Sequence, residues 1–213
     1  MDTIVTKKDT ILDVAIRLFL EQGYYKSTMR QIAAEADVSL GLVVYHFGTK
    51  RMMALSYLQK QLVNLRSYIV KYIDSDQDPV LYCCVLIRLN QQILSSPYYY
   101  NFYKDMLKED IFLDALMSSG AETAEHINEK FQLHLTKADT LFFGNYVAPS
   151  VERALMMFPQ ADQLSQDIPD IIFKAYMLFL IPDMEKLSNY CRQAKEIVDK
   201  LIAKNPILLN PYQ

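Results

Sequence analysis

The sequence predicts an all-α protein, and three observations carry that prediction. Apolar residues recur at helical spacing along most of the chain. N-cap residues and cap–proline pairs punctuate it at intervals suited to helices of two to six turns. Only five of the 213 residues are glycine, and β-branched residues do not gather in short alternating runs. Hydrophobic residues make up 51% and charged residues 22%, a balance that supports a packed core and excludes a disordered chain.

The elements follow in order. Ile11, Ala15, Leu18 and Phe19 share one helical face. Thr6-Lys7-Lys8-Asp9 reads as the capping box of that helix, and Gly23 as its stop. A second helix is expected after Ser27-Thr28, carrying Ile32, Ala33 and Ala36. A short third begins after the cap Ser39 and ends near His46; Gly48-Thr49 then opens a long helix reaching about Ile73. Asp78-Pro79 and Ser96-Pro97 each read as an N-cap with proline at the first helical position, giving helices near 79–94 and 97–107. Helical pattern continues over 111–135, with a break near Ser118-Gly120. Thr136-Lys137-Ala138-Asp139 caps a helix to about Met157, and Pro169 and Pro182 start the last two, near 169–180 and 182–204. Two domains are expected, a small one over 1–51 and a larger one over 52–213.

The chain carries −3 at neutral pH, so the distribution of charge matters more than its sum. Residues 1–51 hold seven basic against six acidic side chains, +1, which leaves −4 for the remainder. The basic residues gather near Lys26–Arg30 and Lys50–Arg51. Phosphate contact needs local cations and helix N-termini, not a basic whole chain. Three cysteines without paired spacing, Cys83, Cys84 and Cys191, suggest neither a disulfide framework nor a zinc site, and fit reduced, buried thiols. The N-terminus lacks a signal-peptide core, and the apolar stretch Ile171–Pro182 is interrupted by Lys174 and too short to span a bilayer. A cytoplasmic protein with no membrane partner is expected.

The most informative stretch is Gln31–Phe47. A helix-turn-helix needs a small residue where its helices touch, and Ala33 fits. It needs a turn residue that tolerates a left-handed backbone, which Asp37 does less well than glycine. Ile32, Val38 and Val43 supply apolar anchors, and Ser39 caps the helix that would approach the major groove.

These residues resemble the TetR family of repressors. The resemblance runs through Ile11-Leu12, Ala15, Leu18-Phe19, Gly23-Tyr24, Ser27-Thr28, Ile32-Ala33, Ala36, Val38-Ser39, Gly41, His46-Phe47, Lys50 and, loosely, Met53. Two positions depart from it: the family usually has Gly at Asp37 and Tyr at Val44. Either the neighbouring Tyr45 does more of the anchoring or binding differs in detail. By position, the resemblance makes Arg30 a base reader and places a backbone phosphate at Thr28. Ser39, Leu40, Gly41 and Leu42 then open the recognition helix, the two leucines packing on thymine methyl groups. Tyr45 and His46 would reach phosphate or a base edge, and Lys50 would hold phosphate at the next helix start. The plainer reading of Tyr45 and His46 is packing within the small domain.

The resemblance further implies a C-terminal domain that binds a small-molecule effector and dimerises on a palindromic operator. Aromatic and methionine side chains suited to an apolar pocket are Tyr82, Tyr99, Phe102, Tyr103, Met106, Phe112, Phe142 and Tyr146, within a wider set including Tyr98, Tyr100 and Phe143. Any one of them is more often plain core. His126 with Glu122 and Glu129 shares a helical face, but a solvated face is the better reading, so no metal or other cofactor is expected. The helices near 137–157 and 169–180 are the expected homodimer contacts, the second being apolar nearly all round. No Ser/His/Asp arrangement or glycine-rich phosphate loop supports an enzyme. The remaining alternative is a DNA-binding regulator whose C-terminal domain binds a protein instead of an effector.

Overall fold

The computed structural model describes residues 6–117 and 120–209, and every ordered element among them is helical. The headpiece is α1 (Lys7–Glu21), α2 (Met29–Glu35) and α3 (Leu40–Phe47). A long connector, α4 (Lys50–Ile69), leads into α5 (Pro79–Leu94), α6 (Tyr100–Lys108), α7 (Ile111–Leu116) and α8 (Gly120–Phe131). Then follow α9 (Lys137–Phe142), a π-helical turn at Phe143–Val147, α10 (Ala148–Met157), α11 (Ile168–Met177) and α12 (Met184–Lys204).

Local chemistry explains most of the boundaries. Thr6 and Asp9 form the expected capping box, as do Thr136 and Asp139. Thr28, Ser39, Thr49, Asp78 and Asp183 each accept a first-turn backbone N–H. Between α2 and α3, Asp37 takes the left-handed backbone that the turn demands, with φ at 51°. Three expectations are corrected. The connector helix stops at Ile69 instead of Ile73. Ser96 does not cap α6, which begins four residues later at Tyr100; its hydroxyl donates instead to the carbonyl of Leu209 at 3.1 Å. The 137–157 stretch is not one helix, because the π turn adds a residue and rotates everything beyond it by about 100°.

Two hydrophobic clusters organise the chain. The first joins the headpiece (Ile11, Phe19, Ile32, Val43) to Met53 and Leu58 of α4 and to Phe102, Tyr103, Met106 and Phe112 of α6 and α7. The second binds α4 and α5 to α8, α11 and α12 through Ile69, Val85, Leu89, Phe173, Met177 and Val198. The core that starts in the headpiece therefore runs on past residue 51, which falls in the first turn of α4. All three cysteines are buried and free. No helix among the described residues is long and apolar enough to cross a membrane.

Candidate nucleic-acid interface and effector cavity

The outer face of the headpiece is built on α3. Val43 and Phe47 bury its inner side, and Ser39 Oγ accepts the N–H of Leu42 at 3.2 Å, fixing its first turn. That leaves Leu40, Gly41, Val44 and Tyr45 uncovered, Tyr45 being 81% exposed. Leu42 is half-buried against the headpiece core, and His46 lies edge-on to Tyr45 and Phe47. Arg30 and Thr28 are exposed at the start of α2, where Thr28 Oγ1 accepts the N–H of Gln31 at 3.2 Å. The face thus combines an exposed phenol, an exposed guanidinium and two capped helix starts. An anion can be received by such helix starts, and a groove floor by the exposed side chains.

Gly41 has no structural reason to be glycine. Its backbone is helical, and a Cβ there would meet only Ser39 Oγ, at 3.8 Å. Gly41→Ala is expected to stabilise the fold by about 0.5–1 kcal/mol, because glycine in a helix sacrifices that much. Thermal melting of the two proteins checks it.

Lys50 is half-buried at the start of α4 and bonded within the headpiece. Its Nζ donates to the carbonyl oxygens of Tyr24 at 2.6 Å and Ser27 at 3.1 Å, and lies 4.2 Å from the centre of the Tyr24 ring. Desolvation holds its pKa below the ordinary lysine value. The ammonium clips the start of α4 to the α1–α2 loop.

Sequence reasoning missed the bonds that join headpiece to body. Tyr25 Oη donates to Glu109 Oε1 at 2.7 Å, which pushes the phenol up to about 12. Arg51 donates to the Glu109 carbonyl at 2.6 Å and pairs with Asp114. These partners are 58 to 84 residues apart in sequence. No local pattern signals them.

In the body, a cavity of about 80 Å³ is lined by Leu62 and Arg66 of α4, Cys83, Leu86 and Asn90 of α5, Thr123 of α8, Gly144 of the π turn, Glu152 of α10 and Ile172 and Tyr176 of α11. Glu152 is only 5% exposed; it accepts the Tyr103 hydroxyl, and burial pushes its carboxyl up to about 7. Next to it, Arg153 donates to the Leu107 carbonyl at 3.0 Å and lies 3.2 Å from Asp110. α10 therefore grips α6 beside the cavity, and α6 ends at the residue that holds the headpiece.

The aromatic candidates divide. Tyr103 reaches the cavity through Glu152, whereas Tyr82, Phe102 and Met106 are core. Tyr99 lines a separate groove near α1, and Phe112, buried, borders a surface hollow between α7 and α10. Phe142 and Tyr146 face outward, 55% and 45% exposed, stacked on each other. With Leu141, Leu178 and Phe179 they form an apolar patch, joined by the stacking of Phe143 on Phe179 at 4.9 Å. α11 packs against α5, α10 and α12, leaving Ile168, Ile171 and Ala175 half-buried and Leu178 and Phe179 past its end exposed. Among the described residues no cluster of His, Cys, Asp or Glu suits a metal ion.

Residues 11–57, the headpiece and the first turns of α4, match the family model for bacterial regulatory proteins of the tetR family. Residues 11–57 are therefore a TetR-type headpiece. This headpiece is also the region of similarity to curated relatives. The HTH-type transcriptional regulator HbdR of Aromatoleum sp. (strain CIB) is 37% identical over 78 residues, 37% of this chain and 34% of that protein. The HTH-type transcriptional regulator LmrA of Bacillus subtilis (strain 168) is 33% identical over 73 residues, 34% of this chain and 39% of that protein. The matched stretches span little more than a third of those relatives' length. At the level of fold the similarity extends to the body. The TetR family repressor FadR of Thermus thermophilus, solved with lauroyl-CoA, superposes with a TM-score of 0.63 at 18% identity, covering 81% of this chain and 93% of that one. A TetR family transcription regulator from Shewanella sp. PV-4 gives 0.52 at 19% identity, with coverages of 80% and 96%.

Proposed function

We propose that this chain is a transcriptional repressor of the TetR family that binds a palindromic operator as a homodimer and is released by a small, largely apolar effector. The observation that carries this reading is the uncovered face of α3, where a glycine with room for a side chain sits beside an exposed tyrosine. Close backbone approach to an outside partner explains Gly41, and the capped first turn of a short helix suits entry into a major groove. The apolar patch of Phe142, Tyr146 and Phe179 supplies a self-complementary surface for pairing two copies. Relatives and fold neighbours of this chain are regulators, one of them solved with an acyl-CoA.

The effector acts by filling the cavity beside Glu152. At about 80 Å³ it is well below the ~300–1,000 Å³ usual for a ligand site, so occupancy must part α10 from α5. That movement is passed to α6 through Tyr103 and Arg153, and from Glu109 to Tyr25 and Arg51 of the headpiece. The effector then binds the released conformation more tightly, and DNA weakens effector binding by the same factor.

The test is binding of the purified protein to DNA upstream of its own gene, with random DNA as competitor. Arg30→Ala is expected to lose about 1–3 kcal/mol of discrimination at one base pair while binding random DNA nearly as before. Gly41→Ala, although more stable, is expected to lose operator affinity. If both variants weakened operator and random DNA alike, the assigned reading roles would be wrong. Mass spectrometry of the denatured protein identifies any copurified effector.

A further inference from the structure

We infer that the groove between headpiece and body is a second small-molecule site, separate from the effector cavity and built for an uncharged aromatic compound. Its volume is about 420 Å³, within the range of ligand sites, whereas the inner cavity is about 80 Å³. Its floor is apolar and buried: Ile16 of α1, Leu65 of α4, and Leu94 and Tyr99 at the end of α5 and beyond. Three phenol rings line it, Tyr57 and Tyr68 from α4 and Tyr99 from the turn before α6, which favours a flat ring that can lie against them.

The rim sets the polarity of the occupant. Gln61, Asn64 and Asn90 supply amides that both donate and accept, so they suit neutral hydroxyl, carbonyl or amine groups. Asp13 is the one charged residue of the lining, and it is acidic. An anionic ligand would meet a carboxylate and no compensating cation. The fourth wall is the C-terminal turn, where Leu208 is held in place by the Ser96 hydroxyl bonded to Leu209.

The groove and the inner cavity are neighbours across Asn90, which lines both. Yet the groove alone draws on the headpiece, through Asp13, Ile16 and Leu20 of α1. Its occupant therefore braces α1 against α5, whatever fills the body. This inference stands independently of the DNA reading, since its test is direct binding.

Two fluorescent probes that differ by one sulfonate provide that test: N-phenyl-1-naphthylamine, which is neutral, and 8-anilino-1-naphthalenesulfonate, which is anionic. The full chain is expected to bind the neutral probe more tightly, by about tenfold. Asn64→Trp, which fills the groove from an exposed position on α4, is expected to weaken the neutral probe by about tenfold or more. Val63→Trp puts the same bulk on the neighbouring exposed position outside the groove and should leave binding unchanged. Asp13→Lys should strengthen the anionic probe and narrow the preference. The inference is overturned if the neutral probe does not bind, or binds equally to Asn64→Trp and wild type, which would put it in the inner cavity or on the Phe142 patch. It is overturned also if Asp13→Lys leaves the preference between probes unchanged.

Discussion

Arg88→Ala is expected to destabilise the protein by about 3–5 kcal/mol, the range for removing one partner of a buried ion pair. Arg88 lies in the middle of α5, among apolar residues, with a side chain only 5% exposed. Its guanidinium pairs with Asp170 in the first turn of α11 and lies 3.4 Å from Asp167, the residue that precedes that helix. Asp170 is 21% exposed, so truncating Arg88 leaves a poorly solvated carboxylate without its main cation. Asp167 is less affected. Burial raises its pKa, but Lys195, at 3.4 Å, and Arg88 together outweigh that and lower it. Because net stabilities are ~5–15 kcal/mol, the loss is a large share of the total. Urea unfolding checks it. The double change Arg88→Met with Asp170→Leu should recover most of the loss, since an apolar pair avoids the desolvation that an ion pair must offset. A loss under about 1 kcal/mol would show that water already screens the pair as on a surface.

Arg88 also shows where sequence reasoning ends. An arginine in an apolar helix announces that it needs a partner, but Asp167 and Asp170 lie 79 and 82 residues away. Signals that work within one turn of helix were readable: the Thr6 and Thr136 boxes, the Asp78-Pro79 start, the Ser39 cap and the strained Asp37. Ser96-Pro97 has the same local form as Asp78-Pro79, yet its hydroxyl goes to Leu209 because the C-terminal turn passes there. Lys50 matches the family pattern, but its ammonium is drawn to two carbonyls at the end of the α1–α2 loop. In the headpiece the elements are short and their contacts mostly local, so the exposed face of α3 could be foreseen. The body depends on how distant helices meet. Phe142 and Tyr146 have the composition of pocket lining, yet they stand at the end of α9 and inside the π turn, stacked on each other and turned outward.

Glu152→Gln is expected to remove a pH dependence of stability that is specific to the neutral range. Burial raises the folded-state pKa of Glu152 from 4.5 to about 7, and the hydrogen bond from Tyr103 offsets only part of that. A carboxyl whose folded pKa is raised is stabilising when protonated. Its contribution is complete below pH 4.5 and is lost as pH rises through about 7. Above that, the fold must hold a buried carboxylate, at a cost on the order of 3 kcal/mol relative to acid. Glutamine keeps the acceptor for Tyr103 and carries no charge. The variant should match wild type at pH 5 and exceed it at pH 8, and the difference between their melting temperatures should follow a single titration. The other ionisable groups lining the cavity do not confuse the readout. Burial pushes the Cys83 thiol up to about 12 and the Tyr176 phenol well above its ordinary value. Tyr103→Phe removes a hydroxyl that steadies the carboxylate, so its transition should move to higher pH. Equal stability of wild type and Glu152→Gln from pH 5 to pH 8 would mean that water reaches the carboxyl. The cavity would then be open in solution, and an effector could enter without parting α10 from α5.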